Sequence, residues 1–241
     1  PKLIDEYKHP FIFDLDGTLV NTDHIYILVW KTIMTKYKLN VDDNFFNFFI
    51  RGKNDIMFLT KLFPNISTNE IKEISELKDN LFIDYLQKYD KDIMISGAMN
   101  FINLNKNRKM GIVTSCNKKS AEFILKKTNL DQYMQFLIAS EDCTKHKPNK
   151  EPYEKAINIL QCNKNNCFIF EDSNSGYKSA LSLGINNICL IISDNSDNTI
   201  LNANEYKIRN YDEFNLNFII NNEVDISKLI IKSLHYLPIQ K

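Results

Sequence analysis

Short apolar runs along the chain end repeatedly in polar residues that can carry chemistry. The first run, Phe11-Ile12-Phe13, ends at Asp14, and consecutive apolar residues of this kind are typical of a parallel strand buried on both faces. Later runs have the same form: Met110 to Val113, Phe136 to Ala139, Cys167 to Phe170 and Ile188 to Ile192. The pattern predicts buried strands that each present a polar residue at the carboxyl end.

Segments with helical periodicity separate these strands. They are Ala98 to Asn105, Lys118 to Thr128, Glu151 to Leu160 and Ser175 to Leu183. Strands that alternate with helices are typical of βαβ units, which build a parallel sheet covered by helices on both faces. We therefore predict a Rossmann-like α/β fold, in which ligands bind at the carboxyl ends of the strands.

About ninety residues separate the first two strands, far more than a single crossover needs. Aromatic-rich helical segments occupy this interval: Ile25 to Tyr37, Asp43 to Phe49 and Asp55 to Leu62. Ser67 and Glu70 have the spacing of a capping box ahead of a longer helix. We predict an all-helical insertion over residues 20–92, between the core segments 1–19 and 93–241. Periodicity alone leaves open whether it is a packing appendage or a lid over the ligand-binding edge.

Composition narrows the class of protein. The chain has 241 residues, 44% of them hydrophobic, which is ample for a buried core. Thirty Lys plus Arg balance thirty Asp plus Glu, so no overall field favours nucleic acid or an anionic membrane. No apolar run in the sequence reaches the roughly 20 residues of a membrane span, and the first ten residues do not resemble a signal peptide. Five cysteines without a C-x-x-C spacing predict reduced thiols, and the expected location is cytoplasmic.

Two acidic pairs follow predicted strands. Asp14 and Asp16, with Gly17 after them, would repel each other unless they share a cation or a proton. Glu171 and Asp172 end another apolar run. If the two strands lie close in the sheet, these carboxyl oxygens converge on one divalent cation. Oxygen ligands without a nearby His or Cys suit Mg²⁺, and Mg²⁺ favours carboxylates together with water and phosphate oxygens.

Two further positions supply groups that bind phosphate. Thr114-Ser115 follows a strand and precedes a helix start, where hydroxyl and backbone N–H donors are available. Lys147 precedes Pro148, so its backbone does not simply continue a helix. Alone, a Thr-Ser turn is usually a helix cap and a loop lysine usually faces solvent. We interpret Thr114-Ser115 and Lys147 as phosphate ligands on the condition that the fold brings both of them next to the acidic pairs.

Taken in order, these motifs resemble those of the haloacid dehalogenase superfamily, in its phosphatase and β-phosphoglucomutase-like branch with a helical cap. The resemblance extends from Phe11 to about Phe214. The motifs that carry it are Asp14 to Leu19, Thr114, Lys147-Pro148, and Glu171-Asp172 with Gly176 beyond. Four motifs in this order and spacing are highly specific.

The resemblance implies a role for each motif. Asp14 would be the nucleophile that forms an aspartyl-phosphate, and Asp16 would act as general acid and then general base. Thr114, the Ser115 backbone and Lys147 would hold the transferring phosphoryl oxygens.

The resemblance also implies a magnesium site. Mg²⁺ would be bound by the Asp14 carboxylate, the Asp16 backbone carbonyl and Asp172. Glu171 would support the metal directly or through water. Asp16 argues against dehalogenation, because the dehalogenases of the superfamily lack this second Asp.

The predicted function is a Mg²⁺-dependent phosphatase acting on a small phosphorylated metabolite. A sugar-phosphate mutase is the alternative, because Arg51 and Lys53 lie where mutase-like relatives carry a basic, substrate-contacting cap segment. Tyr26 occupies the position at which many relatives have a His. This difference favours the phosphatase over the mutase. A non-catalytic binding protein on the same fold is a third hypothesis. We expect a monomer or a weak homodimer. The segment Asp225 to Leu234 is predicted to be either a terminal helix or a dimer contact.

Overall fold

The computed structural model describes residues 9–213 except 52, 54, 195 and 204. Its strands are β1 (Phe11–Phe13), β2 (Met110–Val113), β3 (Leu137–Ile138), β4 (Phe168–Glu171), β5 (Ile188–Ile191) and β6 (Tyr206–Ile208). These form one parallel sheet in the order β3-β2-β1-β4-β5-β6. The predicted α/β fold with a parallel sheet is confirmed. The prediction for Asp225 to Leu234 lies outside the described residues.

The edges of the sheet differ from the prediction. The run Phe136 to Ala139 forms a strand only at Leu137–Ile138, where it pairs with the last two residues of β2. The opposite edge strand, β6, was not predicted. Its three residues have Lys207 in the middle and pair on one side with β5. Such a short edge strand lacks the apolar run that marks a buried central strand.

A helical insertion separates β1 from β2. Its described helices are α1 (Asp23–Thr35), α2 (Asp43–Phe45), α3 (Asp55–Leu62) and α4 (Thr68–Lys88), with a π-helical turn at Phe46–Ile50. The predicted capping box is present, because the Ser67 hydroxyl accepts from the Glu70 N–H and the Glu70 carboxylate accepts from the Ser67 N–H. The π-helical turn replaces a continuation of α2 and buries both Phe46 and Ile50.

The insertion has an apolar centre of its own. Helices α1 and α4 pack together, and Val29, Trp30, Phe82 and Leu86 are buried at or near their interface. The Trp30 ring meets the edge of the Phe58 ring at 4.8 Å between centroids. Trp30, Phe58 and Phe82 therefore pack the interior of the insertion. The division of the chain into residues 20–92 and the remainder stays a prediction.

The remaining described helices cover both faces of the sheet. They are α5 (Ala98–Leu104), α6 (Lys118–Lys127), α7 (Glu151–Leu160), α8 (Asn174–Ser182) and α9 (Asn198–Leu201). Side chains of a strand alternate between faces, so Phe11 and Phe13 pack with Phe101 of α5, while Ile12 packs with Tyr153 of α7. None of the described helices combines the length with the apolar character that a membrane span requires.

Candidate active site

The ends of three adjacent strands form the site. Strand β1 lies between β2 and β4, and Phe13 is level with Ile112 on one side and Phe170 on the other. Because the three strands are parallel and in register, the residues after them meet at one edge of the sheet. The Asp14 N–H donates to the Phe170 carbonyl at 2.9 Å, so Asp14 is held beside the end of β4.

The acidic residues converge at this edge. One carboxylate oxygen from each of Asp14, Glu171 and Asp172 lies within 4.8 Å of the others. Gly17 permits this approach, because its φ is +85° and a Cβ there would overlap the Asp172 carboxylate. Asp14 of the first predicted acidic pair therefore meets both residues of the second pair in the described structure, whereas the Asp16 carboxylate is not one of the three.

Lys147 joins the cluster although it comes from a distant loop. Its Nζ donates to Asp14 Oδ1 at 2.8 Å, to Glu171 Oε1 at 2.5 Å and to the Val113 carbonyl at 2.9 Å. The side chain is only 3% exposed. Burial opposes the ammonium charge, yet Asp14 and Glu171 outweigh it and raise the pKa of Lys147 above its usual value. Lys147 is thus a buried, charged donor beside the carboxylate predicted to be the nucleophile.

Glu171 is fully buried and held on both oxygens. Its Oε1 accepts from the Tyr153 hydroxyl at 2.6 Å as well as from Lys147, and its Oε2 accepts from the Ser173 hydroxyl at 3.1 Å. A Cβ at Gly176 would overlap this carboxylate, so the first turn of α8 packs directly on it. Tyr153 was not predicted as a site residue. Its sequence signal is weak, because it looks like an ordinary aromatic residue on the apolar face of α7.

Asp14 and Asp172 lie in surroundings that disfavour their charged forms. Burial raises the pKa of Asp14 to about 7, with Lys147 opposing the shift and Glu171 adding to it. Burial, followed by the charges of Asp14 and Glu171, raises the pKa of Asp172 well above its usual value. A divalent cation between these carboxylates would stabilise both charged forms. The donor set therefore fits a hard cation such as Mg²⁺.

Asp16 occupies a separate environment on the turn after β1. The Thr22 hydroxyl donates to its carboxylate, and the Gly17 N–H donates to the Val20 carbonyl at 2.7 Å, which closes the turn. Burial raises the pKa of Asp16 to about 6, with the Thr22 hydrogen bond and the charge of Lys78 opposing. A carboxyl with a pKa near neutrality can both donate and accept a proton.

The turn after β2 provides the predicted phosphate-binding residues. Thr114 is buried, and its hydroxyl oxygen accepts from the Cys116 N–H at 3.0 Å, while Ser115 is exposed. Asn117 caps the following helix α6 through the Ser120 N–H. Burial raises the pKa of the Cys116 thiol, which favours its neutral form.

The two cap residues predicted to bind substrate differ in position. Arg51 pairs with Asp23 and donates through Nε to the side-chain oxygen Oδ1 of Asn47 at 3.0 Å. Burial raises the pKa of Asp172 and the positive charge of Arg51 lowers it, although the described contacts of Arg51 lie within the insertion. Lys53 instead donates to the Phe48 carbonyl and lies 5.5 Å from the centre of the Phe48 ring. Substrate binding by Lys53 stays a prediction without a supporting contact.

Lys78 on α4 was missed by the sequence reasoning. It is 15% exposed, with Nζ 2.6 Å from Asp55 and 3.1 Å from Asp79, and its charge lowers the pKa of Asp16. One turn further along α4, Phe82 stacks on Tyr26 at 4.4 Å between centroids. Nothing in the sequence distinguishes Lys78 from the other lysines of this chain.

Together, the sheet and its acidic strand ends define an α/β enzyme of the hydrolase class. Residues 11–190 match the family described as haloacid dehalogenase-like hydrolase, which is most of the chain. The protein belongs to that family.

Three similar proteins were compared with the chain. Validoxylamine A 7'-phosphate phosphatase of Streptomyces hygroscopicus subsp. limoneus is 26% identical over 179 residues, which are 72% of this chain and 81% of that protein. Pyrophosphatase PpaX of Bacillus cereus is 24% identical over 192 residues, which are 70% of this chain and 80% of that protein. The crystal structure of a HAD hydrolase of family IA, variant 3, from Entamoeba histolytica has a TM-score of 0.76 at 25% identity, covering 89% of this chain and 98% of that chain.

Proposed function

We propose that the protein is a Mg²⁺-dependent phosphatase that hydrolyses a small phosphorylated metabolite through an aspartyl-phosphate on Asp14. The observation that carries this proposal is the contact of the buried Lys147 Nζ with Asp14 and Glu171, beside the half-buried Asp172. It combines a carboxylate nucleophile, a cation for phosphoryl oxygens and an oxygen-rich metal site. The relatives named as a phosphatase and a pyrophosphatase support phosphate release as the reaction.

Mg²⁺ would be held by the carboxylates of Asp14 and Asp172 and by the backbone carbonyl of Asp16. When bound, it supplies positive charge that offsets the charge of the phosphoryl oxygens. Both Glu171 oxygens already accept hydrogen bonds from Tyr153, Lys147 and Ser173, which favours support of the metal through water.

In the first step, an Asp14 carboxylate oxygen bonds to phosphorus and the bond from phosphorus to the ester oxygen breaks. The Asp16 carboxyl gives its proton to the departing oxygen, so an alcohol leaves. In the second step, Asp16 takes a proton from water as the water oxygen bonds to phosphorus. The Asp14–phosphorus bond breaks, which releases inorganic phosphate and restores both carboxyl groups.

Lys147, the Thr114 hydroxyl and the Ser115 N–H would hold the phosphoryl oxygens during both steps. Lys147 is buried and already oriented by three acceptors, so little reorganisation is needed when a phosphoryl group arrives. We further propose that the insertion, residues 20–92, is a cap over this edge. Tyr26 supports that role, since its hydroxyl lies 3.6 Å from Cys116 Sγ in the turn after β2.

Hydrolysis of p-nitrophenyl phosphate tests the proposal. The wild-type protein should release p-nitrophenol with Mg²⁺ and lose this activity in EDTA. Asp14→Asn should lower kcat by about 10³-fold or more, because loss of a nucleophile removes the covalent route. Asp131→Asn, at an exposed position away from the site, is the matched control and should retain activity.

Acid-quenched samples provide a direct readout of the intermediate. Phosphate should appear on the wild-type protein and be absent from Asp14→Asn. Full activity of Asp14→Asn would refute the role of Asp14. Conversion of β-glucose 1-phosphate to glucose 6-phosphate with a bisphosphate primer, without free phosphate, would support the mutase. Inactivity of both proteins across a broad metabolite panel would support the binding-protein hypothesis.

A further inference from the structure

Tyr153 contacts both members of a buried ion pair at the acidic edge. Its hydroxyl donates to Glu171 Oε1 at 2.6 Å, and Lys147 Nζ donates to the same oxygen at 2.5 Å. Nζ also lies 5.1 Å from the centre of the Tyr153 ring. Tyr153 and Glu171 are fully buried, and the Lys147 side chain is nearly so. Bulk water therefore does not readily replace either donor to this oxygen.

The other half of the carboxylate fixes the position of Glu171 Oε1. Oε2 accepts from the Ser173 hydroxyl at 3.1 Å, and from the backbone N–H groups of Asp172 and Ser173 at 3.2 and 3.3 Å. The first turn of α8 closes on the same carboxylate at Gly176, where a Cβ would overlap it. The carboxylate is therefore not free to turn and follow Lys147, and Oε1 keeps its position.

All three N–H donors of the Lys147 ammonium are in use. An ammonium group carries three donors, and Nζ has three acceptors: Asp14 Oδ1 at 2.8 Å, the Val113 carbonyl at 2.9 Å and Glu171 Oε1. To hold a phosphoryl oxygen, Lys147 must redirect one N–H from an acceptor that it already has, while Nζ stays near its place. The acceptor that it leaves is buried, and a buried acceptor without a donor is costly.

Glu171 Oε1 is the acceptor that can release Lys147 at low cost. When Lys147 turns away, the Tyr153 hydroxyl still donates to this oxygen, so both oxygens of the buried carboxylate keep hydrogen bonds. Without that hydroxyl, the departure of Lys147 would leave Oε1 with no side-chain donor among the described residues. The ammonium would then be retained by Glu171, because a buried carboxylate without its partners is strongly unfavourable.

We propose that Tyr153 is a positioning residue that frees one Lys147 N–H for a phosphoryl oxygen, because its hydroxyl keeps Glu171 Oε1 paired. The inference rests on the proposed phosphatase function and adds a residue to the machinery of that site. Tyr153 acts through Glu171 and Lys147 and touches no reacting atom. It lies six residues after Lys147, in the first turn of α7, so one short segment supplies both the phosphate-binding cation and the group that releases it.

Binding of orthovanadate, a phosphate-like oxyanion, tests the proposal without turnover. Tyr153→Phe keeps the ring beside Lys147 and removes only the hydroxyl. In saturating Mg²⁺, isothermal titration calorimetry should give a Kd about tenfold higher than for the wild-type protein, as expected for one hydrogen bond to a charged group. Tyr177→Phe, which loses a 2.6 Å bond to the half-buried Glu205, is the matched control and should keep the wild-type Kd. An unchanged Kd in folded Tyr153→Phe would overturn the proposal.

A double-mutant cycle separates positioning of Lys147 from a merely structural effect. If the hydroxyl acts through Lys147, Tyr153→Phe should change the orthovanadate Kd by less than about twofold in a Lys147→Met background. A tenfold change in both backgrounds would contradict action through Lys147.

A crystal structure of the wild-type protein with Mg²⁺ and orthovanadate decides the matter even if these variants do not fold. Lys147 Nζ should donate to a vanadate oxygen and no longer to Glu171 Oε1, while the Tyr153 hydroxyl keeps its hydrogen bond to Oε1. A Lys147–Glu171 hydrogen bond that persists in this complex would overturn the proposal.

The proposed function and this inference fail in different ways. Absence of p-nitrophenyl phosphate turnover, or full activity in Asp14→Asn, would contradict the phosphatase itself. Turnover that depends on Asp14, together with the same orthovanadate Kd in wild-type protein and Tyr153→Phe, would leave the phosphatase intact and refute only the role of Tyr153.

Discussion

The core edge and the cap use charged side chains in opposite ways. At the core edge, Lys147 is shared by Asp14 and Glu171 and stands beside Asp172, so carboxylates outnumber cations and a metal ion can be accommodated. In the described cap, Arg51 and Lys78 are each paired within the insertion. The comparison teaches that charged side chains take different parts in the two regions. The strand ends gather carboxylates around one buried cation, whereas the ion pairs of the insertion join its own helices.

Loss of the core cation should have the largest effect. Lys147→Met should lower kcat by about 10²–10³-fold for every phosphomonoester, because the donor to the phosphoryl oxygens is removed. Steady-state kinetics on p-nitrophenyl phosphate and glycerol 3-phosphate measure this loss. Lys145→Met, an exposed neighbour in the same loop, is the control. A loss restricted to one substrate would instead assign Lys147 to substrate selectivity.

The buried hydrogen bond to Glu171 should contribute strongly to folding stability. Tyr153→Phe should lower the free energy of unfolding by about 1.5–3 kcal/mol, because a fully buried carboxylate loses a donor at 2.6 Å. Tyr177→Phe removes a bond of the same length to the half-buried Glu205 and should cost less than about 1 kcal/mol, since water can replace that donor. Urea unfolding measures both values. Equal losses would show that burial of the carboxylate does not determine the cost.

The pH dependence of stability should reveal the crowded carboxylates. In the metal-free folded protein, the pKa of Asp14 is raised to about 7 and that of Asp16 to about 6. Both carboxyl groups therefore keep their protons at pH values where the unfolded chain has already released them. Stability of the metal-free protein should therefore fall as pH rises from about 4 through about 7.

Magnesium should reverse that fall. Mg²⁺ binds the charged carboxylates, so it should raise the melting temperature by several degrees more at about pH 7.5 than at about pH 5. Thermal melts in EDTA and in Mg²⁺ measure the difference, and Asp14→Asn should reduce it. The same Mg²⁺ effect at both pH values would contradict a metal site built from these groups.

The smallest effect is expected where cap and core touch through a weak contact. Tyr26→Phe removes a hydroxyl that lies 3.6 Å from Cys116 Sγ, and kcat/KM should fall by less than about threefold, because such a contact contributes little. Tyr85→Phe, which loses a hydroxyl contact to Thr32 within the insertion, is the control. A hundredfold fall in Tyr26→Phe alone would give the Tyr26 hydroxyl a part in the proton transfers.

Much of the core could be predicted because its signals are local. Asp14 and Glu171-Asp172 directly follow apolar runs, and a buried parallel strand needs such a run. The capping box of α4 was predictable for the same reason, since its two residues bond to each other. Strand β6 was missed because an edge strand with Lys207 at its centre carries no such signal. The π-helical turn at Phe46–Ile50 was missed because its apolar residues also suit an ordinary helix.

The partners of individual side chains were harder to predict. Lys147 was found because its loop resembles a known motif, and Tyr153 was missed although it contacts the same carboxylate. Lys53 and Lys78 are both lysines of the insertion, but one bonds to its own turn and the other pairs with Asp55 and Asp79. Sequence spacing does not separate these cases, because the direction of a long side chain depends on the packing of neighbouring helices.

By itself, the sequence determined the central strands, most helix positions and the residues that end those strands, because hydrophobic periodicity and capping act over a few neighbouring residues. Only the tertiary structure decided that Lys147 meets Asp14 across 133 residues of chain and that Arg51 and Lys78 pair with carboxylates of the insertion. These contacts depend on strand order and helix packing, which bring together residues with no local relation. The charge at the acidic edge is therefore a property of the folded chain.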